Sequence, residues 1–280
     1  MYDEAVLAYT ITLEITPGDA EVLYYKGIAH AHQENHDEAI AEFEAATIID
    51  PLKADTHYQR GLSLAALGHH NEASLAFTSA LEINPGYTDA MYHKGLALAE
   101  LGEFNDAITA LSRALEASPK IANAHLIKGF CLFAVERYDE AILAYTASLE
   151  IDAKNPHTWF YKGRAHISLD NYEEAVGAFD QALSLEPEFG EAFYYKGIAL
   201  ANSKKFPEAV AAYEQANRLV PDFTDAYLQK GRSLAKLGIY HEAAEAFGRV
   251  LITNPDDLSA LYGQARAFDY QGLYEDAIAS

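Results

Sequence analysis

The chain has 280 residues, half of them hydrophobic, with 42 Asp and Glu against 20 Lys and Arg and a net charge of −22. That composition predicts a globular rather than a disordered protein. The acidic balance argues against a phosphate-backbone binder, whose affinity rests on clustered Lys and Arg, and a single cysteine, Cys131, excludes a disulfide framework or a cysteine-based zinc site.

No run reaches the roughly 18 apolar residues of a membrane span, and no basic region followed by an apolar core opens the chain. A cytoplasmic protein with neither nucleic acid nor membrane as partner is expected. In chain order, residues 1–19 predict one helix and its stop. Complete 34-residue units follow at 20–53, 54–87, 88–121, 122–155, 156–189, 190–223 and 224–257, each predicting two helices. Residues 258–280 predict the first helix of a further unit and the start of its second, so that 1–280 reads as a single array without linkers.

Three residue series carry the period. Gly27, Gly61, Gly95, Gly129, Gly163, Gly197 and Gly231 are 34 residues apart, and an alanine series runs unbroken from Ala5 through Ala39 and Ala175 to Ala277. Pro17, Pro51, Pro85, Pro119, Pro187, Pro221 and Pro255 occupy a third slot, interrupted only by Ala153. Small residues let two antiparallel helices approach, with an aromatic ring filling the space beside them. The prolines end the second helices. Where Ala153 breaks the series, Pro156 can open the next helix as its first residue. Gly68, Gly102, Gly238 and Gly272 sit where first helices should stop in a left-handed conformation. Tyr172, with counterparts Tyr2, Phe104, Tyr138, Phe206, Tyr240 and Tyr274, suits the turn between the helices.

The unit at 156–189 reads Trp159-x2-Lys162-Gly163-x2-His166, then Ala175-x3-Phe179, then Pro187. It resembles the tetratricopeptide repeat, a 34-residue helix-turn-helix with the signature W-x2-L-G-x2-Y, A-x3-F, P, and the resemblance covers the whole chain. One departure is regular: Lys or Arg stands where the family has Leu before glycine, a long side chain that can lay its stem on apolar surface and keep its charge in water. The resemblance implies an all-α fold, a right-handed α-solenoid whose first helices line a concave inner face that holds the ligand. Such arrays need polar caps, so a fragment of a longer array, or ends covered by a partner, is expected.

Chemistry finds little support. Of the eleven histidines, His30 and His166 take a helix-packing slot elsewhere filled by Leu, His36 and His70 take the aromatic turn slot, and His32 alone cannot hold a metal. Cys131 falls in a slot otherwise filled by Ala or Ser, which favours a small packing residue over a reactive thiol. There is no phosphate loop and no HExxH. The acids ahead of the second helices, such as Asp37-Glu38 and Glu173-Glu174, complement the helix dipole. No cofactor, no metal and no catalytic residue are expected.

Function should therefore lie on a surface. Helical spacing places one stripe on the first helices facing away from the packing residues. Its first row is Tyr24, Tyr58, Tyr92, Leu126, Phe160, Tyr194, Leu228 and Tyr262; its second is Ile28, Leu62, Leu96, Phe130, Arg164, Ile198, Arg232 and Arg266. Two readings of the stripe stay open: that part of it packs between neighbouring first helices and exposes only hydroxyls, or that it forms a groove for an apolar-anchored peptide. In the second, Arg164, Arg232 and Arg266 meet carboxylates of the peptide, unless Glu191, Asp225 or Asp269 neutralise them. The family's terminal-carboxylate clamp uses Lys and Asn in these rows and its glycosylating branch carries an asparagine ladder; neither residue occurs in either row.

The expected function is a non-catalytic protein–protein interaction scaffold that binds a peptide or partner domain in its groove. The candidate site is Tyr24, Ile28, Tyr58, Leu62, Tyr92, Leu96, Phe130, Phe160, Arg164, Tyr194, Ile198, Arg232, Tyr262 and Arg266. Two alternatives remain: a self-assembling array joined through its open repeat ends, and the substrate-recruiting arm of a larger enzyme.

Overall fold

The computed structural model describes residues 2–273, which hold sixteen α-helices and no strand. The expected aromatic Tyr274 and the alanine at Ala277 lie outside the described residues. By its contacts the chain falls into two compact units, Met1–Ala144 and Tyr145–Ser280.

The first unit starts with α1 (Tyr2–Ile15), followed by the pairs α2 (Ala20–His32) with α3 (His36–Ile49), α4 (Ala54–Ala66) with α5 (His70–Ile83), and α6 (Thr88–Glu100) with α7 (Phe104–Ala117), and then α8 (Ala122–Ala134). Helix α9 (Tyr138–Ile151) contains the division. The second unit continues with α10 (Pro156–Ser168) and α11 (Tyr172–Leu185), α12 (Gly190–Asn202) and α13 (Phe206–Leu219), α14 (Thr224–Lys236) and α15 (Tyr240–Thr253), and α16 (Leu258–Gln271). From α1 to α8 in the first unit, and from α10 to α16 in the second, each helix packs on its chain neighbours, and successive first helices also touch, as α2 touches α4 and α14 touches α16. This is the all-α solenoid arrangement, in which each pair needs only its neighbours for a core.

The repeated residues explain the packing. Ala39, Ala73 and Ala107 in the first unit, and Ala175, Ala209 and Ala243 in the second, are fully buried. Six repeat glycines face the large side chain sixteen residues on: Gly27 meets Phe43, Gly61 meets Phe77, Gly95 meets Leu111, Gly163 meets Phe179, Gly197 meets Tyr213 and Gly231 meets Phe247. Those side chains, five rings and Leu111, are themselves buried, which makes the glycine contact the centre of these hairpins.

First helices end in a left-handed residue in every described repeat. Gly68, Gly102, Gly238 and Gly272 have φ of 76–78°, and Glu34, Glu136, Asp170 and Lys204 hold φ of 58–62° in the same slot. The stop is thus set by the turn geometry, and glycine is only its easiest occupant.

Proline proves dispensable at the other stop, because α9 ends at Ile151 in the same register although Ala153 occupies the slot. There the Trp159 indole Nε1 donates to the Ala153 carbonyl at 3.1 Å, and Asn155 caps α10 through the Thr158 N–H at 3.1 Å, with Pro156 opening the helix. His57 and His125 stand in the tryptophan slot and place a ring nitrogen 3.0 and 2.9 Å from the Pro51 and Pro119 carbonyls.

Four of the seven cations before the glycines do more than snorkel. Arg60 pairs with Glu44 at 3.0 Å, Lys196 with Asp180 at 2.6 Å and Lys230 with Glu214 at 2.8 Å, each reaching back to the second helix of the preceding pair. Lys26 instead pairs forward with Glu42 at 2.8 Å.

Candidate functional site

Helical spacing puts the two rows of the stripe on the first helices, and the structure divides them by depth. In the first unit Tyr58 is only 9% exposed; its ring lies 5.9 Å from that of Phe77 and 4.9 Å from that of Tyr87. Burial, with a smaller contribution from the Asp89 charge, pushes its phenol up to about 12. In the second unit Phe160 is 4% exposed among Phe179, Phe189 and Tyr195. Both belong to the core, so the expectation that they act as surface anchors is corrected: the residue ahead of the next first helix folds over them.

The other first-row rings keep part of their surface. Tyr24 is half-buried beneath Lys53, whose Nζ lies 4.1 Å from the ring centroid, and burial raises its pKa, aided by Asp55. Tyr92 is also half-buried, and its hydroxyl accepts from Asn123 Nδ2 at 2.6 Å. Tyr194 rests on Phe223 at 4.7 Å. Its phenol is pushed up to about 12 by burial and by Asp225 and Tyr195, while Arg232 works in the opposite direction. In the second row Ile28, Leu62, Leu96 and Ile198 are half-buried and Phe130 is exposed.

Two of the arginines are held by rings. The Arg164 guanidinium lies 5.0 Å from the Tyr195 ring and 5.8 Å from that of Phe160. Arg266 lies 5.6 Å from Tyr262 and 5.5 Å from Tyr270, and donates to the Tyr270 hydroxyl at 3.0 Å. Neither Arg232 nor Arg266 forms an ion pair among the described residues, so the neutralisation by Asp225 or Asp269 left open above does not occur.

Three predicted residues converge. Arg232, Tyr262 and Arg266 line one cleft of about 470 Å³ between α14, α15 and α16. Lys236, Tyr240 and Tyr270 line it too and were not singled out by the rows. Spacing offered little signal for them, since the first-helix slot of Lys236 and Tyr270 also holds His32, Ala66, Glu100, Ala134, Ser168 and Asn202.

Cys131 is fully buried, and burial pushes its thiol up to about 11, so it packs as a small apolar side chain. No group of three or more His, Cys, Asp or Glu among the described residues could hold a metal. No helix among them is long and apolar enough to cross a membrane.

The chain belongs to the tetratricopeptide repeat family, whose model matches residues 2–54, 58–119, 94–156, 162–222 and 228–280. Among solved structures it is similar to the C-terminal part of a tetratricopeptide-repeat protein from Cytophaga hutchinsonii, at 16% identity over 86% of this chain and 98% of that one, with a TM-score of 0.72. It is also similar to YrrB, described as a tetratricopeptide-repeat protein with an unusual peptide-binding site, at 24% identity over 68% and 98% with a TM-score of 0.61. For MamA from Desulfovibrio magneticus RS-1 the figures are 21%, 61% and 96%, with a TM-score of 0.58. At these identities the likeness is one of fold. No curated protein sequence matches the chain.

Proposed function

We propose that the protein is a non-catalytic interaction scaffold whose first helices bind a peptide or a small partner domain. One observation carries this reading. Apart from Tyr2, the exposed large rings among the described residues are Tyr25, Phe130, Tyr262 and Tyr270, and all four stand on first helices. On the second helices, α1 with Tyr2 among them, the rings paired with the repeat glycines, Phe43, Phe77, Phe179, Tyr213 and Phe247, are buried, and Phe104, Tyr138, Tyr172, Phe206 and Tyr240 at the helix starts are half-buried. Aromatic residues and Arg most often carry binding energy at interfaces, and a ring left in water beside an arginine is placed to do so. That YrrB, a structural relative, is described as having a peptide-binding site is in keeping with this assignment.

Selection of a displayed peptide library against the whole chain tests it. Selected peptides should bind about tenfold more weakly to Phe130→Ala or Tyr262→Ala, and equally well to Leu75→Ala, an exposed second-helix residue. The reverse pattern would place the interface on the second helices.

A further inference from the structure

The cleft between α14, α15 and α16 differs from other clefts of the chain in charge. Those mix signs: Lys94 and Arg113 share one with Glu103 and Asp106, and Lys230 and Arg249 share another with Glu242 and Glu245. Arg232, Lys236 and Arg266 all line the cleft, and among the described residues no Asp or Glu lines it and none of the three forms an ion pair. In a chain of net charge −22, three unmatched cations around one cavity form a local positive field against the background. An anion drawn there is separated from the repulsive remainder by the low-dielectric walls.

The charges are also held in place. Arg266 sits against the rings of Tyr262 and Tyr270 and donates to the Tyr270 hydroxyl. Tyr270 in turn stacks on Tyr240, with centroids 4.7 Å apart and planes 15° from parallel. A guanidinium fixed between rings keeps its remaining donors for a carboxylate and loses little freedom on binding it. Ala235, Gly263 and Ala267 leave space along the cleft, and Tyr262 and Tyr270 are 65% and 56% exposed.

We infer that this cleft binds an acidic peptide segment in which carboxylate and apolar side chains alternate. The carboxylates meet Arg232, Lys236 and Arg266, and the apolar side chains lie on Tyr262 and Tyr270. The inference rests on the first helices being the binding face, and adds the chemistry of what one part of that face takes. Arg232 and Lys236 are one turn apart, a rise of about 6 Å along α14, and Arg266 stands on the neighbouring first helix. A single compact phosphate spans less than this and leaves the rings unused. The cleft, about 470 Å³, accommodates a few side chains.

The test is calorimetric titration of the full chain with acetyl-Glu-Phe-Glu-Leu-Glu-Phe-amide, whose blocked ends leave only side-chain carboxylates. Binding should weaken at high salt, and about tenfold or more when every Glu is replaced by Gln. Arg232→Gln together with Arg266→Gln should weaken the acidic peptide by a similar factor. Lys236→Gln, an exposed change that leaves the rings untouched, should weaken it less, and Lys205→Gln should leave it unchanged, with thermal melts showing each variant folded. Equal binding of the Glu and Gln peptides, or binding indifferent to the arginines, would overturn the assignment. Inorganic phosphate that binds more tightly than the peptide and displaces it would reassign the cleft to phosphate. Should the acidic peptide fail while library-selected peptides bind, only this inference falls; should none bind, the proposed function falls with it.

Discussion

A methyl group at Gly197 would stand 2.5 Å from Cε1 of Tyr213, inside the ring's own contact radius. The same relation joins Gly27 to Phe43 and Gly163 to Phe179, so the distance between the two helices of a pair is set by a bare glycine under a ring. Gly197→Ala has to push a buried ring or a helix aside, which costs about 1–3 kcal/mol. A urea unfolding curve should show the midpoint fall accordingly. An unchanged midpoint would mean that the contact does not set the packing.

The left-handed stops make a prediction of opposite sign. Glu136 and Lys204 hold φ of 61° where four other repeats have glycine. Relief of the Cβ clash outweighs glycine's extra chain entropy by up to about 1 kcal/mol. Glu136→Gly and Lys204→Gly should therefore raise the thermal midpoint, while Gly238→Ala lowers it by a comparable amount. Paired melts of the three variants check both signs at once.

His93 should make the first unit acid-sensitive. Its ring lies 4.9 Å from Tyr92, 5.7 Å from Tyr58 and 5.9 Å from Phe77. Burial lowers its pKa below the ordinary 6.5, with Asp89 opposing. The unfolded chain therefore takes up the proton first as pH falls. The stability His93 contributes is present above about pH 6.5 and is lost as pH falls through the folded-state value. His93→Gln, the residue found in that slot at Gln59 and Gln229, should flatten this part of the stability–pH profile. A slope unchanged by the substitution would assign the acid sensitivity to other groups.

The inter-pair ion pairs should matter little by comparison. Lys196 and Asp180 are partly exposed at 2.6 Å, and such pairs contribute about 0–1 kcal/mol. Lys196→Met should lower the urea midpoint less than Gly197→Ala does, although the two residues are adjacent.

How far the fold could be read from residues alone follows from what periodicity encodes. The helix pairs, the buried alanines, the glycine–ring contact and the stops at Gly68 and Gly238 all repeat at fixed spacing, and spacing carries direction around a helix. It does not carry depth. Tyr58 and Phe160 point to the same side as Tyr262, yet Tyr87 and Phe189 close over the first two, while Tyr262 stays in the open. Nor does spacing show a residue that breaks the usual preference, which is why Glu34, Glu136, Asp170 and Lys204 escaped notice as left-handed stops. The cleft was half legible: Arg232, Tyr262 and Arg266 lay in the rows, whereas Lys236 and Tyr270 sit one turn beyond the second row. Ion pairing was the least legible, since Arg60–Glu44 and Lys230–Glu214 join separate hairpins.

The central claim is that binding belongs to the first helices. Hydrogen exchange of the whole chain, free and saturated with a library-selected peptide, tests it most directly. The account predicts added protection in first helices, α14 and α16 among them, with α13 and α15 unchanged. Protection gathered on α13 and α15 while the first helices stay unchanged would contradict it.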